Sequence, residues 1–222
     1  MASKFQNHLK NHDINYIPME FDGKKIIFMK QGRSAGTAVW KHTLRPYVYS
    51  RNGWSGGQGC TNDDDISKNW LNNVTDDEIK NEYFIFTFTR NPFSRVVSCW
   101  GEGNRHSRGM KCSPDFDFFV KNELKTDRDT DGGFHNSHYT PSSVHSEYDD
   151  GELFIDWHGK VENIQKDWKI LCDKISIPYS EFPHIKSGHT VKHHYKHYYT
   201  EELVEIVAHY YKRDLELFNY EF

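Results

Sequence analysis

The apolar run Ile26–Met29, flanked by lysines and bounded by Gly23 and Gly32, predicts a short buried strand. A small-residue turn, Gly-Arg-Ser-Ala-Gly-Thr-Ala, follows it. Val39, Trp40 and Leu44 then recur at helical spacing until Pro46 stops the pattern. A second unit repeats this order. Glu-Tyr-Phe-Ile-Phe-Thr-Phe-Thr-Arg reads as a strand ending at Arg90, Asn91 is placed to cap, and Pro92 opens a helix through Trp100. Before it, Thr75 and Glu78 form a capping-box signature. After it, Ser113 is the expected cap of a helix whose face is Phe116, Phe119, Val120 and Leu124. A third strand is expected within residues 152–161. A helix follows, with Ile164, Trp168, Leu171, Cys172 and Ile175 on one face.

The last predicted helix, capped by Thr200, carries Leu203, Ile206, Val207, Tyr210, Leu217 and Phe218. Asp214 falls on the same stripe, where an unpaired carboxylate is costly, so a buried partner is expected for it. Strands alternating with helices predict an α/β fold with a central, mainly parallel sheet flanked by helices. Residues 50–65, rich in Gly, Asn and Asp, read as a long irregular loop, and residues 1–23 as an N-terminal extension. With no internal repeat and no low-complexity linker, a single domain over 1–222 is expected.

Composition narrows the function classes. The 222 residues are 36% hydrophobic, 27% charged and 15% aromatic, which fits a chain with a real core. A net charge of -4 gives no global drive toward nucleic acid or an anionic membrane, so any anion site must be local. Cys60, Cys99, Cys112 and Cys172 are scattered, without a CxxC pair. With no long apolar run and no apolar leader, they point to reduced thiols in a cytoplasmic protein.

The candidate chemistry sits at the two strand ends. The first turn lacks the Lys-Ser/Thr pair of an ATP-binding P-loop, and it is not GxGxxG. It leaves a cation, Arg33, beside Ser34, Gly36 and Thr37 at the mouth of a helix. That set is sufficient for a phosphate or sulfate. An ordinary strand–helix turn is the plain alternative. In the second unit a strand-end arginine, Arg90, precedes Ser94 and Ser98, four apart on one helical face, a combination that can clamp a second phosphate.

Taken in this order, Arg-Ser-Ala-Gly-Thr-Ala-Val and Arg-Asn-Pro-Phe-Ser-Arg-Val-Val-Ser-Cys-Trp resemble the two phosphate motifs of PAPS-dependent sulfotransferases. The match is closest to the branch of carbohydrate (Golgi-type) enzymes and their microbial relatives. His-Tyr-Thr-Pro-Ser from His138 is similar to the family's His-x-x-Pro element. Residues 157–168 are similar to its Gly-Lys/Arg-x-Glu-Asn segment, and residues 198–222 to its Tyr…Asp…Phe-x-Tyr ending. The resemblance covers residues 24–222. It implies a P-loop-like α/β fold and 3′-phosphoadenosine 5′-phosphosulfate (PAPS) as sulfuryl donor, leaving 3′,5′-adenosine bisphosphate, with no metal. It places the 5′-phosphosulfate on Arg33, Ser34, Ala35, Gly36, Thr37 and Ala38, and the 3′-phosphate on Arg90 and Ser98. Lys30 is a further candidate, and Lys186 and Lys192 are candidates in a late basic loop.

Relatives often carry their base between the two motifs, but residues 43–89 contain no histidine. His138 therefore ranks first as general base and His42 second, with Asp63, Asp64 and Asp65 more plausibly a solvated acidic loop. Glu162 reads as a helix brace. His193 and His197 share a helical spacing, but no glutamate or cysteine completes a metal set. The acceptor is expected to be a carbohydrate or a small molecule, with Trp54, Tyr139 and Trp157 as rings able to stack on it. Two other readings stay open: a nucleotide-dependent phosphotransferase and a non-catalytic nucleotide-binding module.

Overall fold

A computed structural model describes residues 3–45, 71–104, 112–124, 136–183 and 193–222. The expected loop at 50–65, Lys186 and Lys192 lie outside the described residues, as does the His42 side chain. The residues read as an N-terminal extension contain a helix, α1 (Lys4–Asn11), and a strand, β1 (Tyr16–Phe21). Then come β2 (Lys24–Met29), α2 (Gly36–Ala38), α3 (Asp76–Glu82), β3 (Tyr83–Thr89) and α4 (Pro92–Gly103). The chain continues through α5 (Phe116–Phe118), α6 (Asn136–Tyr139), β4 (Trp157–Lys160), α7 (Ile164–Ile175), α8 (Glu201–Tyr210) and α9 (Lys212–Phe218).

The strands form one sheet in the order β1-β2-β3-β4. β1 runs antiparallel to β2, while β2–β3 and β3–β4 are parallel, so the expected mainly parallel α/β sheet is what the chain adopts. Alternate residues of each strand serve opposite faces. Ile26, Phe28, Phe86 and Phe88 pack on one face with Trp168, Leu171, Cys172 and Ile175 of α7. Ile27, Met29 and Ile85 pack on the other with Phe5 and Leu9 of α1 and Ile79 of α3. A third cluster joins Phe93, Val96 and Val97 of α4 to Phe119, Val120, Leu203, Val207 and Tyr211.

Local signals hold where polar atoms fix a terminus. Thr75 and Glu78 make the reciprocal capping box, Asn91 accepts from the Phe93 amide with Pro92 at the first turn, and Thr200 caps α8. Three boundaries move. Asp115 caps α5 instead of Ser113, because its carboxylate reaches the Phe118 amide 3.2 Å away. The third strand begins only at Trp157, since Asp156 turns its carboxylate onto the Ile85 amide at 2.7 Å. The last helix breaks at Tyr211, whose ring is buried and whose hydroxyl donates to the Tyr139 carbonyl at 2.7 Å. After α2 the chain widens into π winding over Val39–Leu44, where the buried Thr43 hydroxyl donates to the Val39 carbonyl. No helix among the described residues is long and apolar enough to cross a membrane.

Gly159 shows what the sheet demands of the segment at its edge. A Cβ there would lie 2.8 Å from both Phe88 Cδ1 and Trp157 Cη2, two rings that pack edge to face. Gly159→Ala should cost about 1–3 kcal/mol through overpacking, read as a lower denaturation midpoint with an unchanged slope. An unchanged midpoint would mean the rings yield freely.

Candidate anion-binding and active site

The parallel strands β2 and β3 end side by side, and each releases its chain into a turn that opens a helix. In open α/β sheets this carboxyl edge is where ligands bind. The first turn is strained in an unexpected place. Arg33 and Ala35 have positive φ, 61° and 59°, whereas Gly36 is not among the positive-φ residues. Gly36 is needed for room instead: a Cβ there would meet the Gln31 carbonyl oxygen at 2.8 Å and Lys30 Cγ at 2.9 Å. Left-handed non-glycine residues cost energy and cluster at ligand clamps.

The turn is tied to α4 by charged hydrogen bonds. Arg33 donates from Nε and Nη2 to the Ser98 hydroxyl, at 3.1 and 3.0 Å, and its Nη1 lies 3.4 Å from the buried Glu102 carboxylate. Arg90 donates from Nε to the Ser94 hydroxyl at 3.0 Å and reaches the Arg33 carbonyl at 3.4 Å. Burial lowers the pKa of Arg90, although a guanidinium stays charged at any working pH. Arg95, fully buried, donates from Nε to the Gly32 carbonyl at 3.2 Å. Its Nη1 and Nη2 have no hydrogen-bond partner among the described residues, and neither has the buried Ser34 hydroxyl.

Unpaired buried donors of this kind are rare and call for an explanation. Their chemistry is that of an anion cradle: guanidinium N–H groups and a serine hydroxyl at the mouth of a helix, where the donors suit phosphate or sulfate oxygens. The sequence-derived residues Arg33, Ser34, Gly36, Arg90 and Ser98 all belong to this strand-end region. Ala35 shapes the turn through its left-handed backbone, and Thr37 and Ala38 lie in α2. Within the protein, Ser98 serves Arg33 while Ser94 serves Arg90.

Arg95 carries no role in the sequence reading. Its only signal there is a charge directly before Val96 and Val97, on the face α4 turns inward.

Beneath the turn runs a buried polar chain. Asp214 accepts from the Ser142 and Ser143 amides at 2.7 and 2.8 Å, which gives it the buried partners its position requires. The Ser142 hydroxyl donates to Gln31 Oε1 at 2.8 Å, and Gln31 Nε2 donates to the Thr87 hydroxyl at 3.2 Å. Glu162 braces α4 instead of its own helix, accepting from the Asn91 amide at 2.8 Å and the Tyr220 hydroxyl at 3.2 Å. His138 lies half-buried in α6, and its carbonyl accepts from the Cys99 thiol, 3.0 Å away and next to Ser98. His42 is placed by its backbone in the π-wound turn after α2. His145 is buried and neutral: burial, and then the charge of Arg95, pushes its pKa down to about 3.

A family model described as "Sulfotransferase family" matches residues 25–221. The chain belongs to the sulfotransferase family. No curated protein and no solved structure matches it. For this sulfotransferase, the family-like ending has a physical reading residue by residue. Asp214 anchors the residues after His138, Phe218 packs on His158 with centroids 5.0 Å apart, and the Tyr220 hydroxyl meets Thr89 at 3.0 Å.

Burial raises the Asp214 pKa above 3.8, outweighing its two amide bonds. The folded state then holds this proton more tightly than the unfolded chain, so its contribution to stability falls as pH rises through the folded pKa. Asp214→Ala, which strands two buried amides, should cost about 2–5 kcal/mol. The stability difference between wild type and Asp214→Asn should shift toward the variant as pH rises from about 4. Denaturant titrations across pH measure both effects, and a pH-independent difference would refute the linkage.

Proposed function

We propose that this sulfotransferase moves a sulfuryl group from PAPS to a hydroxyl of a carbohydrate or small molecule, by in-line transfer assisted by a general base. The observation that carries the reading is the cradle itself. Arg33 is bonded to Ser98 across the two strand ends, and buried Arg95 N–H groups and the Ser34 hydroxyl stand unpaired beside it. These are the donors that the phosphate and phosphosulfate oxygens of such a nucleotide require, and the absence of a Cβ at Gly36 leaves the turn space to close on itself.

The donor brings a sulfuryl group already activated on an anhydride. The chain's task is to hold it and to neutralise charge as the anhydride opens. In this reading Arg33 forks toward the 5′-phosphosulfate, together with Ser34, Ala35, Gly36, Thr37 and Ala38. Arg90 and Ser98 hold the 3′-phosphate. Ser98 can release Arg33 to accept that role, because a hydroxyl both donates and accepts. His138 accepts the proton of the acceptor hydroxyl, with His42 as the second candidate, and Lys186 and Lys192 serve as further nucleotide contacts. With three guanidiniums supplying the positive charge, this chemistry asks no metal of the site.

Calorimetric titration with 3′,5′-adenosine bisphosphate in the absence of Mg²⁺ tests the cradle. Wild type should bind, and Arg90→Ala should lose about 2–5 kcal/mol of affinity. No binding by folded wild type would refute the assignment. With labelled PAPS and a competent acceptor, His138→Ala should slow turnover by about 10²–10⁴-fold while nucleotide affinity stays within about twofold. Full turnover in that variant would move the base elsewhere.

A further inference from the structure

α1 and its C-cap carry two histidines one helical turn apart. His8 and His12 lie at i and i+4, and their ring centroids are 4.6 Å apart. Asp149, from the segment before β4, reaches both: its Oδ1 lies 2.8 Å from His12 Nε2 and 3.7 Å from His8 Nδ1. We infer that His8 Nδ1, His12 Nε2 and Asp149 Oδ1 form a binding site for a divalent transition-metal ion of the zinc class, separate from the nucleotide cradle.

The side chains are arranged as a metal would need them. One ligand atom from each lies within 4.8 Å of the other two. Around a tetrahedral zinc with bonds of about 2.0–2.1 Å, ligand atoms stand about 3.3 Å apart, so the two measured separations bracket the required one. His8 is buried, and its Nε2 is 2.9 Å from the Val144 carbonyl. A carbonyl can only accept, so Nε2 carries the hydrogen and the Nδ1 lone pair faces Asp149. This is the outer bond that orients metal-bound imidazoles. Tyr148 and Phe154 pack edge-on against the same ring, at 5.5 and 5.4 Å, and hold its rotamer.

An ordinary surface ion pair would need only His12 and Asp149. It gives no reason for a buried imidazole to present its lone pair to the same oxygen. Neighbouring charge is already matched, because Lys4 pairs with Asp150 at 2.8 Å and Glu152 at 2.6 Å, which leaves Asp149 for the ion. His12 and Asp149 are 32% and 71% exposed, so the ion enters from solvent and water completes its shell. Two imidazoles and one carboxylate suit Zn²⁺, Co²⁺, Ni²⁺ or Cu²⁺ better than Mg²⁺ or Ca²⁺. Binding displaces the proton that His12 Nε2 shares with Asp149. The ion would clip α1 to residues 144–149, next to Glu147, which Arg213 holds at 2.8 Å.

The full chain, carrying no polyhistidine tag and stripped of metal, would be titrated with Co²⁺ by visible absorption and with Zn²⁺ by calorimetry. One equivalent should bind with a tetrahedral Co²⁺ spectrum, and His12→Ala and Asp149→Asn should each lower affinity by about tenfold or more. Both substitutions are at solvent-facing positions, and both variants should bind adenosine bisphosphate as wild type does. Three outcomes would overturn the site: no Co²⁺ or Zn²⁺ binding by wild type, binding unaffected by either variant but lost in His193→Ala, or Asp149→Asn binding as tightly as wild type.

Discussion

The site depends on placing three guanidiniums at one edge of the sheet. Arg33, Arg90 and Arg95 converge where β2 and β3 end, with Glu102, Glu162 and, for Arg95, Asp214 among the nearby carboxylates. Like charges that close repel, and removing them from water is costly. The fold answers with geometry: each Nε–H finds an oxygen, from Ser98 for Arg33, Ser94 for Arg90 and the Gly32 carbonyl for Arg95. That satisfies only part of the donor capacity of Arg95. Its Nη1 and Nη2 have no hydrogen-bond partner among the described residues, although its charge also acts on buried Asp214.

This constraint accounts for the strain in the first turn. Left-handed conformations at Arg33 and Ala35 cost about 1–3 kcal/mol each. A hydrogen bond to a charged group is worth about 1.5–3 kcal/mol, so the two bonds from Arg33 to Ser98 are of the right size to hold the turn. Glycine at 33 would relax the backbone and remove the cation that needs the turn. Gly36 does the opposite, giving up side-chain packing so that the Gln31 carbonyl can pass within van der Waals reach.

What was legible in the sequence is what nearest neighbours along the chain decide. The apolar runs of β2 and β3, the Thr75–Glu78 capping box, the Asn91–Pro92 helix start and the face of α7 all follow from local chemistry. The hidden parts are set by partners far away in sequence. β1 reads poorly as a strand because Pro18 interrupts it; it is tolerated as an edge strand paired only to β2. The shortening of the third strand needs the Ile85 amide, and the break at Tyr211 needs the Tyr139 carbonyl. The arginines of the two motifs could be named from the turns, but which serine meets which arginine depends on how α4 is rotated. No one-dimensional spacing carries that rotation.

The polar chain beneath the turn ties the family-like ending to the two strand ends, which lie far from it in sequence. Asp214 holds two amides of residues 142–143, Ser142 holds Gln31, and Gln31 holds Thr87 on β3. Every link is buried, and each removes an option from its neighbour: Gln31 cannot rotate without stranding two hydroxyl contacts, and Ser142 cannot move without exposing Asp214. The segment that starts at His138 is therefore fixed at its far end by the C-terminal helix and along its length by Cys99 and Tyr211. His138, the base of the proposed reaction, sits on a segment positioned by the network that underlies the first turn. The segment that carries His138 and the turn that carries Arg33 thus share one set of buried bonds, and a change at Asp214 should disturb both together.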